Sequence, residues 1–463
     1  METNKYNPVK ATPVKSFFVE MLTRDIDLVD AILDLLDNCV DGILRQRKDS
    51  SGEKPYEGFN AKITFDENSF SISDNCGGIP WDMHEYAFRM GKDPKDREGD
   101  LPTVGVYGIG MKRAIFKIGK QCLISTRNQE DCYEVEITPK WIDNSEEWHL
   151  PVSESSRPDK EDGTVIVIDE LNEGIAIRFG EGNKNFTREL TDKVRTHYAF
   201  IFNKGFEVEI NGKQVEAKPT KLVFNEKIKP YIYQTENDGV KVFLSVGFTR
   251  PIPSQEEIND EQEEKRYSSM DAGWTIICND RAVLYCDRSE LTGWGEAGVP
   301  RYHTQFIAIA GIVEFQCNDA AKLPTTTTKR GIDASSPLYL QVKNKMREGM
   351  KLFTAYTNHW KNDADESKRQ IALGNPYSLD EIKKEVETET LKMNPVKSGL
   401  KGEQFKRQLP RPKPKEPTKK QIAYRKDSDD IQTVQMYLFG DQEVSPSKVG
   451  EECFDQMLRE AQQ

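Results

Sequence analysis

Asp34, Asn38 and Asp41 fall at i, i+4 and i+7 of the segment DAILDLLDNCVDG. On a helix that spacing aligns three oxygen-bearing side chains in one stripe, beside an apolar one. By spacing alone the stripe also fits a solvated helix face, so its meaning depends on the segments that follow. SISDNCGGIP ends a β-rich run on Asp74, and its Gly77-Gly78 pair lets a turn pass close to something flat. TVGVYGIGMKRAIF spaces Gly105, Gly108 and Gly110 as G-x-x-G-x-G immediately before an apolar helix with Lys112 near its start. Successive exposed amide N–H groups at a helix N-terminus form a cradle for phosphate. DGTVIVID opens a strand on Asp162, Gly163 and Thr164, and LPTTTTKRGID carries Lys329 and Arg330 in a basic loop after the apolar run IAIAGIVEF.

The elements that must hold these residues follow from periodicity. Leu28, Ile32, Leu35, Leu36, Cys39 and Ile43 recur at helical spacing, which predicts one amphipathic helix over Asp25 to Arg47. Short β-rich runs come next (Ala61 to Phe65, Ser69 to Ser73), then a helical stretch near Trp81 to Arg89 and a helix ending at Ile118. Strands are predicted at Cys122 to Thr126, Tyr133 to Ile137 and Thr164 to Ile168. A second block is expected to open with a helix over Thr187 to Phe202 and a hairpin turning at Asn211-Gly212. Further strands and a long helix, Leu338 to Trp360, close it. The order of elements favours α+β in both blocks, with helices on one face of a sheet.

At 463 residues and 53.0 kDa the chain exceeds one ordinary core. Its longest apolar run, Phe306 to Val313, falls short of the roughly 20 residues that cross a bilayer. METNKYNPVKATPVK has no apolar stretch behind its lysines, so a secretory signal is not expected and the protein is placed in the cytoplasm, away from membranes. Eight cysteines without a C-x-x-C pair read as reduced, mostly buried thiols. The five histidines have no metal-ligand spacing. The net charge of −12 hides an asymmetry: Lys392 to Lys426 holds twelve Lys/Arg against two Glu, a local +10 that leaves −22 elsewhere. With its prolines, that segment is expected to be a disordered basic tether.

In this order, the four boxes around Asn38, Asp74, Gly105 to Gly110 and Thr164 resemble the GHKL ATPases, the superfamily of gyrase, heat-shock chaperone, histidine kinase and MutL ATP-binding domains. The resemblance covers roughly Phe17 to Leu171. It implies a Bergerat-type α/β sandwich that binds ATP with Mg²⁺. Asn38 matches the magnesium ligand, Asp74 the carboxylate that receives the adenine amino group, and Gly78 the residue that makes room for the base. Thr164 matches the hydroxyl supporting that contact. Gly105, Gly108 and Gly110 match the lid hinge around the phosphates, with Lys112 as a phosphate contact and Asp41 in the same nucleotide-facing set. Two positions depart from the pattern. Asp34 stands where hydrolysing members carry a Glu base, a reach shorter by about 1.5 Å, which implies slow turnover. Cys76 stands where the first glycine of the second box is usual.

The loop after IAIAGIVEF resembles the transducer loop whose lysine senses the γ-phosphate, with Lys329 as that residue and Arg330 as the alternative. Among members with a transducer, the arrangement is most similar to the MORC branch and its prokaryotic relatives. The expected organisation is an N-terminal arm (1–24), the ATP-binding domain (25–180), a transducer-like domain (181–362), a helical extension (363–391), the basic linker (392–426) and a C-terminal partner-binding segment (427–463). The function so implied is a slow ATPase acting as an ATP-gated, homodimerising switch in a DNA-related process. The alternatives are a non-hydrolysing ATP sensor or a chaperone-like ATPase. The resemblance and the basic tether suggest DNA as a partner, while the acidic remainder of the chain would repel a duplex. Gln435, Leu438 and Phe439 resemble the Q-x-x-L-F peptide that docks on a replication sliding clamp.

Overall fold

The computed structural model describes residues 14–46, 52, 54–91, 101–104, 108–155, 161–180, 184–254, 256–259, 271–326, 329, 331–361, 363–397, 399–412 and 421–462. Residues up to Pro412 form one compact unit and those from Lys413 onward a second.

The first sheet comprises β1 (Asn60–Phe65), β2 (Phe70–Asp74), β3 (Gly119–Asn128), β4 (Asp131–Ile137), β5 (Val152–Glu154), β6 (Gly163–Leu171), β7 (Glu207–Ile210) and β8 (Lys213–Gln214). Their spatial order is β5-β4-β3-β6-β2-β1-β7-β8. All neighbours are antiparallel except β1 and β7. Strand period sets the buried face: in β1, Ala61, Ile63 and Phe65 are buried while Lys62 and Thr64 are exposed. The register Ile63↔Ile72 and Ile72↔Ile166 continues that apolar row across three strands.

Among the described residues four α-helices precede β3: α1 (Lys15–Arg24), α2 (Leu28–Gln46), α3 (His84–Phe88) and α4 (Gly110–Ile118). From Ala31 to Ile43 every residue of α2 is buried except Asn38. This central helix packs against α4 and against the helix Lys184–His197.

The first domain extends beyond the expected boundary at 180. Phe186, Leu190, Val194, Tyr198 and Ile201 join the same core as Ile63 and Ile72. The hairpin pairs through β7 with β1, and its turn has positive φ at Asn211 (46°) and Gly212 (76°), as a two-residue type I′ turn needs. Local pattern located the hairpin, but strand pairing assigns it to a sheet.

Among the described residues the second sheet has nine strands, with Ile309–Gln316 between Gly273–Cys278 and Val240–Phe248 at its centre. The helix Pro337–Trp360, capped by Ser336 and with proline in its first turn, lays Val342, Met346, Met350 and Phe353 on it. Much of the expected disordered linker proves ordered. Glu403–Phe405 pairs with Ile232 to Gln234, and Asn394–Pro395 pairs with that added strand. Leu400 and Leu409 pack on the core, Trp360 Nε1 donates to Pro410 O at 3.0 Å, and Lys406 pairs with Glu348 at 2.7 Å. The basic charge masked a sparse set of apolar side chains that find the edge of the sheet. Residues 413–420 of the expected linker lie outside the described residues.

Among its described residues the C-terminal unit holds two helices, Ser428–Phe439 and Pro446–Ala461. The clamp-like peptide is thus helical. Gln435 is buried with its Nε2 donating to Val444 O at the helix turn, while Leu438 and Phe439 are half-buried. Among the described residues no helix is long and apolar enough to cross a membrane.

Candidate nucleotide-binding cleft

A cleft of about 1200 Å³, counted with its open mouth, lies between α2, the turn after β2 and the start of α4. Asp34, Asn38, Asp41, Asp74, Gly78, Gly108, Gly110, Lys112, Thr164 and Lys329 all line it. Residues from four separate sequence segments therefore share one concavity, together with Lys329, although Gly77, Asp162 and Gly163 do not line it. Gly105 lies outside the described residues, as does Arg330.

Asp74 anchors the apolar end, beside Leu35, Ile72, Ile79, Pro80, Met83 and Ile166. Its Oδ1 accepts the Cys76 N–H at 2.8 Å, and its Oδ2 accepts from the Cys39 thiol at 3.6 Å. The hydrogen bond with Cys76, then burial, then Asp74 push the Cys39 thiol well above its ordinary range, so it stays protonated and donates. Cys76, the departure from the glycine pattern, turns into the protein with 1% exposure. The close approach falls instead on Gly42, where a Cβ would stand 2.4 Å from Cys76 O. At Gly78, φ is +66° and a Cβ would stand 1.9 Å from Arg127 O, so glycine is needed against β3 as well as for room in the cleft.

Thr164 meets Thr126 at 3.3 Å, and Thr126 Oγ1 accepts the Ile79 N–H at 2.8 Å. Asn128 Nδ2 donates to Gly77 O at 2.6 Å. These contacts tie the glycine turn to β3. Sequence reading passed over Thr126 and Asn128, whose signal is only that they alternate inward near the end of a strand.

At the polar end Asn38 is the exposed residue in a buried helix, with its amide presented to the cleft. Gly110 opens α4 beside the Asp34 carboxyl: a Cβ there would lie 3.4 Å from Asp34 Oδ2. Asp34 does not stand alone, for Arg113 Nη2 lies 2.5 Å from its Oδ2. Asp41 accepts the Val104 N–H at 2.6 Å. Burial raises its pKa, only partly offset by Lys329 and Arg45. Lys112 lines the cleft, yet its Nζ donates to Ala87 O at 2.6 Å, joining α4 to α3.

Behind Asn38 sits a residue that sequence reading missed. Asp37 is fully buried and receives Lys329 Nζ at 2.9 Å on Oδ2. The Tyr198 hydroxyl donates to Oδ1 at 2.6 Å, and Arg281 Nε lies 2.7 Å from the same oxygen. Burial opposes the charge, but Arg281, Lys329 and the Tyr198 hydrogen bond together hold Asp37 below the usual carboxylate range. Arg281 Nη1 also donates to Lys329 O at 2.8 Å, and Lys329 has a left-handed φ of 57°. The basic loop is therefore held by both its backbone and its side chain. A bare D-N dipeptide on a helix carries no signal for this role.

The donor set bears on magnesium. Among the described residues no group of three His, Cys, Asp or Glu could hold a metal by itself. One exposed amide oxygen, with Asp34 and Asp41 engaged elsewhere, suits a cation that keeps phosphate oxygens and water as most of its ligands. In that sense Asn38 fits.

A buried-helix stripe, a carboxylate at a glycine turn and a glycine-opened helix face one cleft of an α+β fold, an arrangement suited to a nucleotide. Residues 26–173 match the family described as histidine kinase-, DNA gyrase B-, and HSP90-like ATPase. This match, which runs from the start of α2 to just past β6, supports GHKL-type ATP binding and ATPase activity for that segment. No curated protein matches the chain.

Proposed function

We propose that the protein is a Mg-ATP-dependent GHKL switch that hydrolyses ATP slowly and pairs with a second copy when nucleotide is bound. What carries the reading is that Lys329, from the segment between the central strand of the second sheet and the helix Pro337–Trp360, lines the same cleft as Asn38, Asp74 and Thr164. Asp74 is the group to receive the adenine amino hydrogen, supported by Thr164 and Thr126. Asn38 would help hold magnesium, which would supply neutralisation of the triphosphate charge. Lys329 then offers a point charge to the terminal phosphate and carries its arrival to the second sheet, the transducer-like part that resembles the MORC branch. Asp34 is the candidate base. Light scattering with and without Mg-ATP tests the switch: a mass that does not change with nucleotide overturns it.

A second reading, an ATP sensor without useful turnover, is favoured by the Asp34–Arg113 ion pair, because a carboxylate oxygen already engaged by arginine is not free to take hold of a water. Steady-state phosphate release separates the two.

The DNA-related role rests on the basic stretch near the junction of the two units, within which Lys406 is already paired with Glu348. Binding to duplex that weakens steeply with salt is the expected signature. Docking on a sliding clamp would require Gln435 to leave its buried contact with Val444, so a peptide of residues 431–443 should bind more tightly than the folded C-terminal unit.

A further inference from the structure

Lys329 has two anionic partners open to it: a carboxylate it already holds, and the terminal phosphate of a nucleotide in the cleft it lines. We propose that Asp37 is the resting acceptor of Lys329 and that a nucleoside triphosphate must win the lysine from it, which makes Asp37 a positioning residue setting the cleft's preference for ATP over ADP. This inference rests on the ATP-binding function proposed above.

The geometry favours an exchange over a permanent pair. A buried carboxylate stripped of its only cation is strongly destabilised. Asp37 would not be left so, because Arg281 and Tyr198 remain on Oδ1 after Lys329 leaves Oδ2. Arg281 is 3% exposed in its side chain, whereas Lys329 is 14% exposed and faces the cleft. The arginine is thus the fixed anchor and the lysine, on its flexible stem, the movable one. Arg281 also grips Lys329 O, so the ammonium can swing while the loop backbone stays attached. ADP lacks the phosphate that competes with Asp37, so Asp37 lowers affinity for the triphosphate selectively.

Opposite signs in two variants make the test. In the full-length protein, Kd for Mg-ATP and Mg-ADP is measured by calorimetry. Asp37→Asn weakens the resting contact, and the ratio Kd(ADP)/Kd(ATP) is expected to rise about fivefold or more, the usual scale of such coupling. Arg281→Gln leaves Lys329 as the one cation on Asp37 beside the Tyr198 hydroxyl, keeps a donor for Lys329 O, and should lower the ratio. In a Lys329→Ala background Asp37→Asn should leave the ratio unmoved. A general loss of structure shifts both ligands together and cannot produce this pattern. An unchanged or falling ratio in Asp37→Asn overturns the inference. Should that variant not fold, Arg281→Gln decides, and a ratio that fails to fall overturns it. If the native protein binds neither nucleotide, the proposed function falls with it; if it binds both and only the ratios disobey, the function stands and Asp37's role does not.

Discussion

Asp34 and Arg113 meet at 2.5 Å across two helices, so the carboxylate proposed as the base is held by a guanidinium from the first turn of α4. Both side chains are nearly buried, at 4% and 11% exposure. Asp34→Asn is expected to keep nucleotide binding and to lower phosphate release by about 10²–10⁴-fold, the range of a lost general base. Turnover unchanged in that variant would remove Asp34 from the chemistry. Paired measurements of Kd and single-turnover hydrolysis supply the check.

Asn38 offers a different separation. Asn38→Ala removes an amide oxygen without touching the packed faces of α2, so thermal stability without ligand should hold within about 0.5 kcal/mol. Its ATP affinity should lose the gain that magnesium confers on the native protein. Titrations with Mg²⁺ and with EDTA read this directly, and a magnesium effect of native size would show that the metal is held elsewhere.

Gly42 tests how the apolar end is assembled. A methyl group there would sit 2.4 Å from Cys76 O, and a contact that close forces α2 and the turn after β2 apart. Gly42→Ala should cost about 1–3 kcal/mol of stability, as overpacking does, and should weaken nucleotide binding because Asp74 moves with the turn. A variant with native melting temperature and native affinity would show that the turn yields freely.

Acid sensitivity has a named source. Burial, followed by Arg281, lowers the pKa of His197 from 6.5 to about 4, while its Nδ1–H donates to Ala282 O. The unfolded chain takes up this proton near pH 6.5 and the folded one only near pH 4. Stability is therefore full above pH 6.5 and falls as pH drops through that window, by on the order of 3 kcal/mol. Asp37, lowered from 3.8, adds a loss at still lower pH. Urea unfolding of the native protein and His197→Gln at pH 7 and pH 4.5 should show a smaller loss in the variant; equal losses would assign the effect to other groups.

Much of this cleft was legible in the primary structure because its signals are local. Helical spacing set Asp34, Asn38 and Asp41 on one stripe, and glycines marked the turn at Gly77-Gly78 and the opening of α4. Periodicity also located β1 to β4 to within a few residues, since burial on one face of a strand or helix imprints a period of 2 or 3.6 on the chain.

What the side chains do to one another was decided only in three dimensions. Arg113 lies 79 residues from Asp34, Tyr198 lies 161 from Asp37, and Lys329 lies 292 from it. Each partner is one charged or polar residue among many, with no spacing to single it out. The same holds for the hairpin at Asn211-Gly212, whose turn is local but whose sheet is chosen by β1, and for Glu403–Phe405, where basic composition suggested a tether until the edge at Ile232 to Gln234 supplied a partner. Backbone pairing and ion pairing join whichever groups the fold brings within about 3 Å, and that distance is a property of the folded chain.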